Sequence, residues 1–564
     1  MRRRWLALLG VLIVVPLAAV AARLVWRRAN PPLPLAVRWP SETLVAAAEL
    51  SILRMELDDA ERLLEHASGV AASRARARLA IYRADCEGAT VLLGASATSN
   101  DQASSELAAF AARCAGATVG GRVLEDRERG IWIRFQDRND EVLFPLLVDG
   151  IARARASIEK DLGTPAPRPL RLDLVRDAFS LSAVSDLPLE SAETTGTVAV
   201  ARWGRVTMLS PRATGRGYPW QDTLAHEITH LVLSRATAER APLWLQEGVA
   251  KRQETRWRDA RLLDGHPDPS RVAFQAQRSG RSVGVDKLGP SIAMLPSADA
   301  AGIAFAEVTS FVGYWLERNG EEALPALLRE LGGGARDAEA ALRGVSGLGL
   351  ADWQVLWRAD LERRFAEAGQ SQEPDQLKPQ ANGRRRAIVE RLVELLFVEG
   401  WPAEARERGA PELETAPGAV YLGFLVARAA LAAGEGDWPL LLPPVGEIEG
   451  AHGGFLALTG LAARTPPTSI PVEVGDPASV SHVPGAWGGA VGLGTAEGAK
   501  EASDPNALFA HALSLDPLLP EVACEGQPHH AKSPPDPASG PLPSDPSRRA
   551  LCLHTRTLPV RGGE

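Results

Sequence analysis

Apolar positions along the chain fall into several regimes. Between residues 41 and 118 small residues and leucines recur at helical spacing. Two stretches roughly thirty residues apart share the pattern: Leu57-Asp58-Asp59-Ala60-Glu61-Arg62-Leu63-Leu64 and Glu87-Gly88-Ala89-Thr90-Val91-Leu92-Leu93. This region is expected to be all helical, either an Ala-rich bundle or a repeated hairpin. From about Arg122 the pattern is mixed. Ile131–Phe135 reads as a strand, 143–162 as an amphipathic helix, and Leu170–Val175 as a strand set off by Pro165, Pro167 and Pro169. Gly196–Ala201 and Arg205–Leu209, split by Trp203-Gly204, read as a hairpin. Helical spacing resumes at Gln221–Gln253, gives way to a polar stretch over 256–297, and returns at Ile303–Arg318, Glu321–Leu331 and Trp353–Phe365. That region should close near residue 368.

Beyond a polar linker at 369–383, a helical block over 384–464 carries an apolar stripe of Ile388, Val389, Leu392, Leu395 and Leu396. The tail, 465–564, is rich in Pro, Gly and Ser, too poor in apolar residues to pack except for a short helical segment at 504–524. At the other end, residues 1–28 place three arginines before an eighteen-residue apolar run, Trp5–Ala22. That run suits a membrane anchor or a signal peptide with cleavage near Ala19-Val20-Ala21, and the bulky Arg23–Arg28 favours the uncleaved anchor. Export is expected either way, with the body facing the periplasm or exterior, or secreted if the segment is removed.

Composition adds little to this. With 564 residues and 45% apolar content the chain can bury several cores. A net charge of −8 with dispersed arginines gives no reason to expect nucleic acid. The four cysteines fall as two local pairs, Cys86 with Cys114 and Cys524 with Cys552, which an exported chain would close as disulfides and a reducing compartment would leave as buried thiols.

The chemistry is concentrated in 221–253. His226 and His230 are four residues apart, so a helix presents both imidazoles on one face, able to share a tetrahedral cation. Glu227 follows the first of them, beside the metal position, where a general base for an attacking water is needed. Asp222 is read as the helix N-cap. A third ligand must come from elsewhere, and Glu247 in Trp244-Leu245-Gln246-Glu247-Gly248, on a helix that Pro242 can start, is the candidate. A histidine third ligand of the metzincin kind is ruled out, because Leu233 and Ala236 occupy its signature positions.

HEITH followed by WLQEGVA resembles the gluzincins, in particular the bacterial peptidase MA-like families. The resemblance implies an α+β fold: a zincin-like metallopeptidase domain over 122–368, a mixed sheet with active-site helices between mostly helical, repeat-like flanks. It implies one catalytic zinc on His226, His230 and Glu247, with Glu227 as the base, hence a zinc-dependent peptidase acting on peptide or protein substrates. It also implies that the hairpin before the metal helix borders the cleft, and that the helix at 303–318 backs the site. Tyr314 on that helix is weighed as an oxyanion donor and set aside as a packing residue. His266 is not expected to bind, since a catalytic zinc keeps its fourth position for water. Lys251 stands where thermolysin-type enzymes carry an acid that orients a ligand histidine, so that partner is not identified from sequence. The segments 41–118 and 504–524 resemble tetratricopeptide hairpins, which implies protein partners. The rival reading is an exported helical-repeat scaffold whose zincin domain binds metal or peptide without cleaving. A zinc hydrolase of non-peptide amides is a third.

Overall fold

The computed structural model describes residues 39–94, 101–213, 218–259 and 268–365, with part of the stretch between 389 and 441. The segments 1–28, 369–383 and 465–564, with 504–524, Cys524, Cys552 and His266, lie outside the described residues, and 384–464 is described only in part. The described fold is mostly helical with one small mixed sheet, an α+β arrangement. Among the described residues no helix is long and apolar enough to cross a membrane.

The first region is built of helical hairpins. Helices α1 (Ser41–Leu53) and α2 (Leu57–Glu65) form one, α3 (Val70–Tyr82) and α4 (Cys86–Gly94) the next, and α5 (Gln102–Thr118) packs on α4. The two hairpins repeat one another down to their turns. Met55 and Ala84, 29 residues apart, both adopt positive φ (57° and 64°). Around each, the same bonds recur: Arg54 N–H to Leu50 C=O matches Arg83 to Leu79, and Glu56 N–H to Ser51 C=O matches Asp85 to Ala80. The repeated pattern in the sequence is therefore a true structural repeat. Cys86 and Cys114 are joined in a disulfide tying α4 to α5.

The sheet has the order β1 (Arg122–Asp126), β2 (Ile131–Phe135), β3 (Leu170–Val175), β5 (Arg205–Leu209), β4 (Ala199–Arg202). β2, β3 and β5 are parallel, and the outer strands are antiparallel to their neighbours. Strand alternation divides the side chains between two faces. Ile131, Ile133 and Phe135, Leu170, Leu172 and Leu174, and Val206 and Met208 enter the main core with α6 (Phe144–Leu162). On the other face Val175, Leu209, Val198 and Val200 pack against the hairpin helices and α7 (Ala178–Ser185). The helical region is thus the second cover of the sheet.

Charge is buried on that second face. Asp173 is ion-paired to Arg134 at 2.6 Å and to Arg205 at 3.0 Å. Arg205, fully buried, also donates to Ile81 C=O (2.6 Å), Val184 C=O (3.3 Å) and Cys114 Sγ (3.2 Å), and Arg134 donates to Ala84 C=O (3.1 Å). Ile81 and Ala84 lie at the C-terminal end of α3, where carbonyls without helical partners and the helix dipole favour a cation. Burial pulls the Arg205 guanidinium down to about 10, offset by Asp173, so it keeps its charge at neutral pH.

The remaining elements complete the main core. Helix α8 (Leu189–Thr195) leads into β4. Helices α9 (Trp220–Thr237) and α10 (Leu243–Arg256) are followed by α11 (Pro269–Arg278), α12 (Ala298–Asn319), α13 (Ala323–Gly333), α14 (Ala338–Ser346) and α15 (Leu350–Phe365). A further hairpin, α16 (Pro402–Thr415) and α17 (Val420–Ala433), falls in the partly described block.

Several boundaries differ from the sequence reading. The first hairpin strand starts at Ala199, because Gly196 (φ 69°) ends α8 in the left-handed conformation. The helix expected from Leu143 starts at Phe144 after a 3-10 turn over Arg138–Leu143. The polar stretch at 256–297 contains α11, capped by Asp268 and burying Ala273, Phe274 and Ala276. Helix α9 starts at Trp220, so Asp222 is not its cap but lies in its first turn. Its carboxylate instead accepts from Arg258 (2.7 and 2.5 Å) and the Trp257 indole (3.2 Å) at the far end of α10.

Asp173→Asn keeps the shape of the side chain and removes the charge both guanidiniums face. It should cost about 3–5 kcal/mol of stability, read as a lower denaturant midpoint with an unchanged slope. A loss below about 1 kcal/mol would mean that the charges are not coupled.

Candidate metal centre

Helices α9 and α10 pack side by side, and each brings its part of the site to the shared face. His226 and His230 project together from α9 with their Nε2 atoms 3.0 Å apart. Glu247, on the second turn of α10, places Oε2 3.4 Å from His226 Nε2 and 3.6 Å from His230 Nε2. At the next residue α10 is pressed against α12. A Cβ on Gly248 would lie 2.4 Å from Val312 Cγ2 and 2.7 Å from the Val308 carbonyl oxygen, so only glycine fits.

The three edges of this triangle suit a metal. Nitrogen and oxygen ligands at about 2.0–2.1 Å from one tetrahedral cation lie roughly 3.3–3.4 Å from one another. His226, His230 and Glu247 are the one such group among the described residues. The orientation of this ring is set from behind: His226 Nδ1 lies 2.9 Å from Glu254 Oε1, so Nδ1–H donates there and Nε2 is the nitrogen that faces the triangle.

The electrostatics of the cluster call for positive charge at its centre. Burial opposes a charge on His226, yet hydrogen bonds to Glu247 and Glu254, with the nearby carboxylates, push it up to about 10. Burial works against the ionised form of Glu247, but His230 and His226 hold its carboxyl well below the usual range. Glu254, also opposed by burial, is held down by Lys251 and His226. Glu227 differs: burial raises it, and the two imidazoles only partly offset this.

Helix α9, which carries Glu227, packs against β4 at the edge of the sheet. The pairing of β4 leaves its outer edge open. Leu209 N–H bonds to Val198 C=O, and bonded pairs recur at every second residue, 200 with 207 and 202 with 205. The N–H and C=O groups of Ala199 and Ala201 therefore face out of the sheet. Phe305 of α12 stands edge-on to the His226 ring (6.2 Å between centroids), with the Lys251 ammonium 5.5 Å above its own ring.

All four site residues marked in the sequence are thus buried (His226 7%, Glu227 6% and Glu247 8% exposed) or half-buried (His230), and the three ligand candidates converge. Tyr314 is elsewhere, packed against Trp353 and accepting a hydrogen bond from Arg318. Lys251 is not the histidine-orienting partner. It donates to Glu254 Oε2 (2.7 Å), and Glu254 itself fills that role. Glu254 was legible only as the residue two turns beyond Glu247 on the same helix face. The chain matches no protein-family model and no curated protein.

Gly248→Ala forces α10 off α12 and should destabilise the protein by about 1–3 kcal/mol. A thermal melt lowered by several degrees checks this, and an unchanged melting temperature would contradict the close approach.

Proposed function

We propose that this chain is a zinc-dependent peptidase of the gluzincin type, with residues 122–368 as its zincin-like domain, acting on peptide or protein substrates. The observation that carries the reading is the convergence of His226 Nε2, His230 Nε2 and Glu247 Oε2 at 3.0–3.6 Å beside a buried Glu227. Two nitrogens and a carboxylate oxygen at this spacing suit zinc, with a fourth position left for water. When bound there, zinc would make a water acidic and polarise a carbonyl.

The chain's own groups supply the rest. Glu227, with a carboxyl raised by burial, takes a proton from the attacking water and returns it to the leaving amine. Glu254 fixes the ring of His226. The Cys86–Cys114 disulfide supports an oxidising location, in keeping with export.

Purified protein should hold one zinc per chain, measured by atomic emission, and His230→Ala should lose it. Glu227→Gln should keep zinc and lose about 10²–10⁴-fold in hydrolysis of casein or an unstructured peptide. Full metal occupancy with no cleavage of any peptide in a library would favour the non-cleaving scaffold instead, and absence of zinc would sink both readings. Glu254→Gln should weaken zinc binding by about 10–100-fold in chelator competition. Equal affinity would remove Glu254 from the metal's support.

A further inference from the structure

Glu254 does not hold the His226 ring unaided. The last torsion of a glutamate is broad, so a carboxylate gripped by one oxygen swings about its own axis. Here each oxygen has a partner of its own: Oε1 faces His226 Nδ1 at 2.9 Å, and Oε2 accepts from the Lys251 ammonium at 2.7 Å. Glu247, Lys251 and Glu254 follow at positions i, i+4 and i+7 of α10, so helical geometry lines them along one face. The ligand candidate stands at one end of that row and the holder of the ring at the other.

An ion pair three residues apart on an open helix surface contributes little, because water competes for both ends. Lys251 and Glu254 differ from such a pair in two respects. Both are half-buried, with 32% and 21% of their side chains exposed. The ammonium also lies over the Phe305 ring of α12, 5.5 Å from its centre, while that ring stands edge-on to His226 at 6.2 Å. Four side chains from three helices thus close a circuit, from His226 to Glu254, to Lys251, to Phe305 and back to His226. We propose that Lys251 is a positioning residue of the metal centre: it acts through Glu254, with Phe305 fixing where the ammonium stands, to hold the His226 ring with Nε2 towards the triangle. This role rests on the metal reading of the triangle and not on peptide cleavage. Its effect has a sign that charge alone would not give. An ammonium close to a cation site repels the cation, so by Coulomb's law its removal tightens binding. A lysine that holds Glu254 in place does the opposite, and its removal weakens binding.

The test measures zinc affinity by chelator competition in the full-length protein and in Lys251→Met, Lys251→Arg, Glu254→Gln and the double variant Lys251→Met with Glu254→Gln. Lys251→Met keeps the stem beside Phe305 and removes the charge, and it should bind zinc about five- to tenfold more weakly. Lys251→Arg, which keeps a cation able to bond the same carboxylate, should stay within about twofold of the unaltered protein. The double variant should be no weaker than Glu254→Gln alone, because the lysine works through that carboxylate. Cobalt(II) in place of zinc supplies a spectroscopic check, since its visible absorption follows ligand geometry. Lys251→Met and Glu254→Gln should shift that absorption alike, and Lys251→Arg should leave it unshifted. A lysine of purely structural importance would lower the melting temperature of the metal-free protein and move neither readout. Should Lys251→Met fail to fold, Lys251→Gln takes its place with the same expectations. Equal or tighter zinc binding in Lys251→Met overturns the inference, as does a double variant weaker than Glu254→Gln by the full factor of Lys251→Met. A protein that binds zinc with these differences but cleaves nothing loses the peptidase reading alone. One that binds neither zinc nor cobalt loses the metal reading and the role of Lys251 together.

Discussion

Burying charge is the constraint that both faces of the sheet answer. An ion taken out of water costs several kcal/mol even after the protein relaxes, unless partners and hydrogen bonds replace the solvent. Strand alternation sends Leu172 and Leu174 to one core and Asp173, between them, to the other face. There Asp173 lies between two guanidiniums, and those in turn reach carbonyls at the end of α3. The charge on the second face is thus balanced by the helical region that covers it. On the first face, Glu227, Glu247 and Glu254 share a buried space with two imidazoles, and the positive charge that would balance them belongs at the centre of the triangle.

What could be read from the sequence follows from how local each interaction is. His226 and His230 are one turn apart, so their shared face follows from helical geometry alone, and Glu227 inherits its place from them. Glu247 was reachable because Pro242 and the apolar run around Trp244 mark the start of a second helix. Glu254 was not, since a glutamate near the end of a charged helix looks like a solvated residue until α9 is laid against α10. The same holds for Asp222, whose position suggests a cap and whose partners, Trp257 and Arg258, lie some 35 residues away. Helices α7 and α8 escaped because they are short and bury few apolar side chains, leaving little periodicity to detect, and α11 because its one apolar face, Ala273, Phe274 and Ala276, is a single large side chain between two alanines in a polar stretch.

The hairpin shows a different limit. Its two strands and the Trp203-Gly204 turn follow from alternation and the glycine, as the structure bears out. Why a tryptophan should stand in a left-handed turn is invisible until Phe110 and Tyr82, distant in sequence, are brought to it. A residue that breaks a local preference is held by non-local contacts, and such exceptions often mark where separate parts of a chain were fitted together.

The repeat meets α9 and α13 through more than that turn. Tyr82, which flanks Trp203, also reaches Glu239 just past the end of α9 with its hydroxyl (3.4 Å), and Arg54 of the first hairpin reaches Gly332 at the end of α13. α3 therefore touches the hairpin that packs on α9 and the C-terminal end of that same helix, which carries both histidines. A helical repeat standing free would offer its faces to partners. This one uses the C-terminal end of α3 to neutralise Arg134 and Arg205, and its aromatic residues to fix the edge strand. Its second-hairpin residues Tyr82 and Ala84 are therefore bound to the sheet and to the end of α9 by charge and packing that neither part could satisfy alone.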